Sequence, residues 1–254
     1  MLKICTFVHT DLSTGLFNHF LSCDQKEFAM KVIILAAGIG SRLGKPHPKT
    51  LTMLSNGRSI LQHQVKALLR YVDIDDIYIV VGFKKELIME AFPELTYVYN
   101  DYFDTTNTSK SLLRGLRKTR HDDVIWLNGD VVFDHIVIDR LMREPHSCMA
   151  VNTASVGEEE VKYTLDEHGF IREVSKQVEN PQGEAVGINK INRGDIDLLL
   201  DKLDKCDDRD YFEKGIELAI REGLKMVPVD ISDVICTEID FEEDLRRVNE
   251  QLGK

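Results

Sequence analysis

The residues best suited to chemistry follow directly on an apolar run at 31–36 (KVIILA): Leu35-Ala36-Ala37-Gly38-Ile39-Gly40-Ser41-Arg42-Leu43-Gly44-Lys45-Pro46-His47-Pro48-Lys49. Two glycines flanked by small residues let backbone N–H groups approach a phosphate closely, and the turn is expected to feed a helix N-terminus. Arg42 and Lys49 add two cations to the same stretch, and the prolines fix an extended path that can return Lys49 over the ligand. This is the composition of a phosphate cradle. Two better-known phosphate loops do not fit. G-x-x-x-x-G-K-[ST] breaks because Gly44-Lys45 is followed by Pro46 and Ile39 stands five residues before Gly44. G-x-G-x-x-G breaks because the third glycine comes one position late, at Gly44 instead of at Leu43. The alternative for a bare glycine turn is a tight strand-to-helix connection, and the added arginine and Pro-x-Pro-Lys tail argue against it.

Carboxylates supply the other half of the pattern. Asp130, in Gly129-Asp130, follows an apolar run at 124–127 and so falls at the carboxyl edge of a sheet, where open α/β folds bind ligands. A carboxylate there suits a hard, oxygen-preferring ion in contact with phosphates. Asp240 lies far along the chain, and its alternative is a helix N-cap ahead of Glu242, Glu243 and Asp244. His63 and His168 have no partner at informative spacing. A missing His/Ser/Asp set is consistent with attack by a phosphate oxygen, which is already anionic near neutral pH and leaves only positioning and charge neutralisation to the protein.

The elements that must hold these residues are legible as alternating periods. The run at 31–36 reads as a central parallel strand covered on both faces. Ser59 and Gln62 form a capping box, and Leu61, Val65, Leu68, Leu69 and Val72 recur at helical spacing, predicting a helix over 59–71. A strand at 77–81 stops at Gly82, a short helix at 84–92 closes at Pro93, and strand 95–99, helix 109–120, strand 124–127 and helix 135–143 follow. Such alternation implies βαβ units with right-handed crossovers. Beyond Cys148 come shorter strands at 149–153, 162–165, 171–174 and 186–191, helices at 195–203 and 211–222, and a last helix from Phe241. The expectation is an α/β fold: a single Rossmann-like three-layer domain over 30–254 with a mostly parallel mixed sheet. Residues 1–29 read differently. Met30 stands directly before the first strand, so they are expected to be a dispensable extension preceding the natural start; a short extra strand or a homo-oligomer contact is the alternative.

Composition narrows the partners. The 254 residues carry 43 acidic against 32 basic side chains, a net charge of -11, with no Lys/Arg-rich run, which argues against nucleic acid. A compact anion such as an NTP stays compatible with that balance through placed cations, backbone N–H groups and metal. The five cysteines are odd in number and widely spread, with no C-x-x-C pair, and read as reduced and cytoplasmic. No apolar run is long enough to span a bilayer, and no secretory cleavage pattern follows the first residues.

Taken together, 35–49 resembles the L-A-A-G-x-G-x-R…P-K signature of the sugar-phosphate nucleotidyltransferase superfamily. Gly82-Phe83 is similar to that family's Gly-Tyr after the second strand, and Gly129-Asp130 to its metal-binding Gly-Asp. Asn107 through Ser111-Leu112 resembles the N-x-x-x-S-L segment of phosphocholine cytidylyltransferases and of relatives acting on inositol phosphate or aminoethylphosphonate. Glu184 through Gly187-Ile188 resembles a G-E-x-x-G-I stretch of that subgroup, and Ile239-Asp240 the second metal site. The resemblance implies a nucleotide-diphospho-sugar transferase type of fold and a reaction in which CTP and a phosphorylated small molecule give a CDP-linked product and pyrophosphate. It implies Mg2+ on Asp130 and Asp240, Lys49 stabilising charge at the α-phosphate and Arg42 holding the leaving pyrophosphate. It implies nucleotide contacts from Leu35, Ala36, Ala37, Gly38, Gly40, Ser41 and Gly82, with side-chain bonds from Asn107 and Ser111. Lys162, Lys176 and Glu184 are the implied acceptor contacts, against the alternatives of surface lysines and an exposed turn residue. Lys110 departs from the small or aromatic residue common at its position. Tyr99, Tyr102, Phe103, Trp126 and Tyr163 could form an aromatic box for a quaternary ammonium, or serve the core. Three rival readings stand beside this one. A sugar-1-phosphate uridylyl- or thymidylyltransferase would share the loop and metal residues; a glycosyltransferase would want an Asp-x-Asp that Asn128-Gly129-Asp130 does not supply; a non-catalytic nucleotide-binding module would have less need of Arg42, Lys49, Asp130 and Asp240 together.

Overall fold

The computed structural model describes residues 30–40, 43–154, 156–157 and 160–253. The expected extension at 1–29, with Ser41 and Arg42, lies outside the described residues. The apolar run after Met30 forms β1 (Met30–Ala36), and it is central as its unbroken hydrophobicity requires. It pairs in parallel with β2 (Ile77–Val81) on one side and β4 (Asp123–Asn128) on the other, and β3 (Thr96–Tyr99) extends the parallel array beyond β2. Past β4 the order runs through β9 (Gly183–Ile191), β6 (Cys148–Asn152) and β10 (Val227–Asp230). β9 is antiparallel to both β4 and β6, and β10 is parallel to β6, so the sheet is mixed and mostly parallel. An antiparallel ribbon of β7 (Lys162–Leu165) and β8 (Ile171–Ser175) joins the N-terminal end of β9.

Alternation along β1 divides its side chains between two cores. Val32, Ile34 and Ala36 face α1 (Ile60–Leu68) and α4 (Ile136–Arg143), whereas Ile33, Leu35 and Ala37 face α3 (Thr108–Thr119), α5 (Arg193–Lys205) and α6 (Phe212–Arg221). These are the three layers expected. The capping box of α1 forms as read: Ser59 Oγ accepts from the Gln62 N–H at 3.2 Å and Gln62 Oε1 from the Ser59 N–H at 2.9 Å. A cap of this kind contributes about 1 kcal/mol. Beyond β2, a short α2 (Lys85–Ala91) begins after Lys84, which holds a left-handed conformation at φ 45°.

Three strands are not anticipated by the sequence reading: β10, β5 (Val131–Phe133) and β11 (Cys236–Glu238), the last two forming an antiparallel pair off the main sheet. Among the described residues no α-helix follows the glycine loop; the chain instead passes through Gly44, at φ 63°, and bends at Pro46 and His47 to a 3-10 turn at Lys49–Leu51. The reason is a third, small core. Leu43 and Leu54 pack with Ile60, Val132, Ile239 and Val248, so the loop is clamped against β5, the end of β11 and α7 (Glu242–Leu252) instead of winding into a helix.

Candidate active site

The carboxyl edge of β1 and β4 assembles the site. Leu35 and Asn128 are register partners, and the Gly129 N–H donates to the Leu35 carbonyl at 2.8 Å, which sets the glycine loop beside Asp130. A Cβ on Gly129 would stand 2.7 Å from that carbonyl oxygen, so this close approach needs glycine. Gln64, fully buried on α1, donates from Nε2 to the carbonyls of Asn128 (2.9 Å) and Val131 (2.8 Å), and His63 Nε2 lies 2.9 Å from the Phe133 carbonyl. α1 therefore grips both sides of the turn that carries Asp130.

β11 brings the second carboxylate. Glu238 pairs with Val131, and the Ile239 N–H donates to the Asp130 carbonyl at 3.0 Å, so Asp240 arrives next to Asp130 across a backbone bond. The helix-cap alternative for Asp240 does not hold: the Asp244 side chain accepts from the N–H groups of both Asp240 and Phe241, and Phe241 precedes the first turn of α7. The Asp240 carboxylate instead meets Lys49. The Lys49 ammonium lies 2.7 Å from Asp130 Oδ2 and 2.5 Å from Asp240 Oδ1. Burial acts to lower the Lys49 pKa, but Asp130 and Asp240 outweigh it and hold the group raised and charged.

Asp130, Glu238 and Asp240 each offer a ligand oxygen within 4.8 Å of the others. Burial, with the Asp130 and Asp240 carboxylates beside it, holds Glu238 well above the usual carboxylate range. Asp130 Oδ1 is buried with no hydrogen-bond partner. An orphaned carboxylate oxygen in a three-carboxylate cluster matches the donor set of a hard divalent ion. Sequence reasoning missed Glu238, although Glu238-Ile239-Asp240 has the spacing that puts two side chains on one face of an extended strand.

The loop itself is tied down at several points. Lys84 donates from Nζ to the Pro46 carbonyl, Lys45 pairs with Glu242 at 2.6 Å, and Gly40, at φ 63°, lies directly over the Lys49 side chain. Leu35, Ala36 and Ala37 bury their side chains, leaving only backbone for a ligand, and the Ala37 carbonyl already accepts from the Phe83 N–H at 3.0 Å. Gly38 has open space where a Cβ would stand. At Gly82 a Cβ would strike Phe103 at 2.4 Å, so Phe103 covers that position.

Asn107 and Ser111 have protein partners. Asn107 caps α3, its Oδ1 accepting from the Thr108 N–H at 2.8 Å while its Nδ2 donates to the Arg209 carbonyl; Ser111 Oγ accepts from buried Asn100 at 3.1 Å. Lys110 caps the far end of α5 by donating to the carbonyls of Leu203, Asp204 and Cys206. On the acceptor side, Glu184 is a half-buried strand residue, not an exposed turn residue; it accepts from Asn152 Nδ2 and the Gly157 N–H. Lys162 is its register partner on β7. Lys176 lies over the Tyr211 ring, and its field, with those of Glu184 and Asp240, reaches Glu160, whose carboxyl desolvation and those two acids raise. The aromatic residues do not form one box: Trp126 and Tyr163 are core residues, while Tyr99 and Tyr102 are exposed beneath Lys85 and Arg114.

Residues 32–187, more than half of the chain, match the model of the MobA-like NTP transferase domain. The chain belongs to this family. Among its relatives, the bifunctional protein GlmU of Methanococcus maripaludis (strain C7) is 31% identical over 202 residues, 77% of this chain and 46% of its own length. The CMP-5'-(3-aminopropyl)phosphonate synthase of Streptomyces rubellomurinus is 38% identical over 127 residues, 46% of this chain and 20% of that protein. The chain thus spans about half the length of the first and a fifth of the second. In fold, the chain is similar to the CTP:phosphocholine cytidylyltransferase of Streptococcus pneumoniae (TM-score 0.73, 19% identity, 89% of this chain and all of that one). It is equally similar to the inositol-1-phosphate CTP transferase of T. maritima (TM-score 0.75, 18% identity, 89% and 96% covered). No helix among the described residues is long and apolar enough to cross a membrane.

Proposed function

We propose that the chain is a magnesium-dependent cytidylyltransferase that joins the CMP part of CTP to a phosphorylated or phosphonate-bearing small molecule and releases pyrophosphate. The observation that carries this reading is the Lys49 ammonium bridging Asp130 and Asp240 beside the glycine loop. Asp130 and Asp240, with Glu238 behind them, would hold the Mg2+, and the orphaned Asp130 Oδ1 is the oxygen best placed to accept it. When bound, such an ion neutralises phosphate charge as a Lewis acid.

The protein's own part is positioning. Gly38 and Gly40 present backbone to the triphosphate, Arg42 is assigned to the leaving pyrophosphate, and Lys49 is assigned to the α-phosphate with the two carboxylates fixing its direction. An acceptor oxygen attacks the α-phosphorus as the bond to the β-phosphate breaks, and the anionic attacker needs no base. Leu35, Ala36, Ala37, Ser41 and Gly82 are assigned to the nucleotide through their backbone. Asn107 and Ser111 join them only if they exchange a present partner for the base. Lys162, Lys176 and Glu184 are assigned to the acceptor. Two structural neighbours whose names carry CTP, and a relative named for a CMP-linked phosphonate, support cytosine. We assign the chain to a reducing, cytoplasmic setting, consistent with free Cys148 and Cys206, whose thiols burial pushes up to about 12 and about 11. A second reading, a sugar-phosphate transferase using UTP or dTTP, draws support from the GlmU relative and from a similar structure described as a glucose-1-phosphate thymidylyltransferase of Bacillus anthracis (TM-score 0.69, 17% identity).

Pyrophosphate release with magnesium separates them, using four NTPs crossed with phosphocholine, aminoalkylphosphonates, inositol phosphate and glucose 1-phosphate. Turnover with CTP and one acceptor supports the first reading. A UTP or dTTP signal with a sugar phosphate replaces it with the second, and binding without release reduces the chain to a nucleotide-binding module.

A further inference from the structure

A lysine ammonium and a divalent cation seek the same oxygens, and the Lys49 ammonium stands on two of those assigned to the ion. It lies 2.7 Å from Asp130 Oδ2 and 2.5 Å from Asp240 Oδ1, so one nitrogen bridges two carboxylates that the β5–β11 pairing brings together. A magnesium–oxygen bond is about 2.1 Å long. An ion bonded to both oxygens would therefore fall within the space of the ammonium, and two cations do not share it. Asp130 Oδ1, buried and without a partner, is the oxygen that the lysine leaves to an ion. One oxygen is a weak hold on a divalent cation, which gains its affinity from several ligands at once.

The surroundings of Lys49 leave its side chain as the part able to move. Its backbone is pinned by the 3-10 turn, in which the Leu51 N–H donates to the Pro48 carbonyl and the Thr52 N–H to the Lys49 carbonyl, both at 2.9 Å. The Thr52 carbonyl accepts from the Ile60 N–H at 3.0 Å, which fixes the turn to the start of α1. The stem runs beneath the glycine loop: a Cβ on Gly40 would stand 3.0 Å from Lys49 Cβ and 3.6 Å from its Cδ. From that fixed base, rotation about the terminal bonds of a flexible stem takes the ammonium either to the two aspartates or to a phosphate seated on the loop. The Lys49 side chain is 11% exposed, so water is a poor substitute for either anion, and leaving the aspartates is costly until another anion is there.

We propose that Lys49 is a placeholder for the divalent ion, and that the α-phosphate of the nucleotide releases it by offering the ammonium a second anion. The inference rests on the nucleotidyltransferase reading above and deepens it by giving Lys49 control over when the ion is held. Until nucleotide arrives, the ion competes with a tethered ammonium for Asp130 Oδ2 and Asp240 Oδ1 and binds weakly. Once the ammonium has turned to the phosphate, both aspartates are open to the ion. Loading of ion and nucleotide is thereby coupled through one side chain. Charge relief between a bound anion and a bound cation would persist without Lys49; coupling through the placeholder would not. The consequence for the free protein is contrary to the usual effect of losing a catalytic group: removing Lys49 strengthens ion binding.

The test is Mn2+ binding read by electron paramagnetic resonance, with CMP as the nucleotide because it presents the α-phosphate and chelates the ion far less than a triphosphate. In the wild type, CMP should tighten Mn2+ binding at least tenfold. Lys49→Met should tighten it ten- to a hundredfold with no nucleotide present, and CMP should then add less than threefold. Lys49→Ala should show the same gain and lose it again in methylammonium chloride, as the amine fills the vacated place. Tetramethylammonium chloride at the same ionic strength, which has no N–H to offer, should leave that gain intact. The two variants guard each other against a folding defect, which thermal midpoints without Mn2+ reveal. Mn2+ affinity in both variants equal to or weaker than that of the wild type, or an equal response to the two amines, overturns the proposal. A gain in the variants beside a wild type indifferent to CMP overturns release by the nucleotide. Absence of Mn2+ binding in all three proteins overturns the metal assignment itself, and the placeholder with it.

Discussion

A buried ammonium held between two carboxylates is informative because each group is costly without the others. Asp130 and Asp240 outweigh the burial of Lys49 and raise its pKa, and the ammonium between them offsets the repulsion of the two acids. Lys49→Met should therefore lower kcat by on the order of 10²–10³, measured as pyrophosphate release at saturating substrate; full activity in that variant would remove Lys49 from the mechanism. Glu213 gives a prediction in stability. Its folded pKa of about 7 stands above the ordinary 4.5, so the native state binds more protons than the unfolded state between those values. Stability contributed by the protonated carboxyl is complete below pH 4.5 and is lost as pH rises through 7. The loss should total about 3 kcal/mol, with a backbone hydrogen bond and then the Lys176 charge pulling the other way and falling short. Glu213→Gln removes the titration, so denaturant midpoints of variant and wild type should converge near pH 5 and separate in the variant's favour at pH 8. A constant gap across that range would contradict the burial argument.

At the scale of elements, the site depends on short pieces held by longer ones. Gln64 on α1 bonds both Asn128 and Val131 around the Asp130 turn. Gln64→Leu fills the same volume but leaves two carbonyls without a donor, which should cost about 2–4 kcal/mol. It should also weaken Mn2+ binding, read by electron paramagnetic resonance, more than an equally destabilising change elsewhere in the α1 core. The same contrast explains what was legible in the sequence. β1, β2, β4 and the helices at 60–68 and 108–119 announce themselves through runs and caps long enough to show a period. β5 and β11, three residues each, show no period, and what makes them strands is each other across more than a hundred residues of chain. Asp130 and Asp240 were legible as carboxylates but not as neighbours, since only the β5–β11 pairing joins them. Glu238 was passed over because its strand was unseen. Asn107 shows a different limit, because an asparagine that caps a helix and one that reads a base look alike in sequence.

The whole molecule carries a net charge of -11, and Glu184 stands near the two aspartates at its site, so the cleft repels a triphosphate. Among the described residues, Lys49 offsets part of that field, and it is already committed to two carboxylates. Nucleotide and divalent ion should therefore bind with strong mutual reinforcement, each relieving the charge that opposes the other. The structural consequence extends beyond the cleft, because the site sits where three cores meet: β1 and β4 between the two large ones, and Leu43, Val132 and Ile239 in the small one beneath the loop. A ligand that joins the glycine loop to Asp130 and Asp240 resists the separation of all three. Binding at a hundred times Kd stabilises a fold by about 2.7 kcal/mol, which for a domain of this size is a rise in Tm of roughly 5–10 °C. Magnesium with CTP should give a rise of that order, and either alone should give well under half of it. Asp130→Asn should reduce the joint effect to the sum of the separate ones. If the variant kept the full joint shift, the stabilising contacts would have to lie away from the carboxylates, and the ion would be travelling with the nucleotide and not held by the protein.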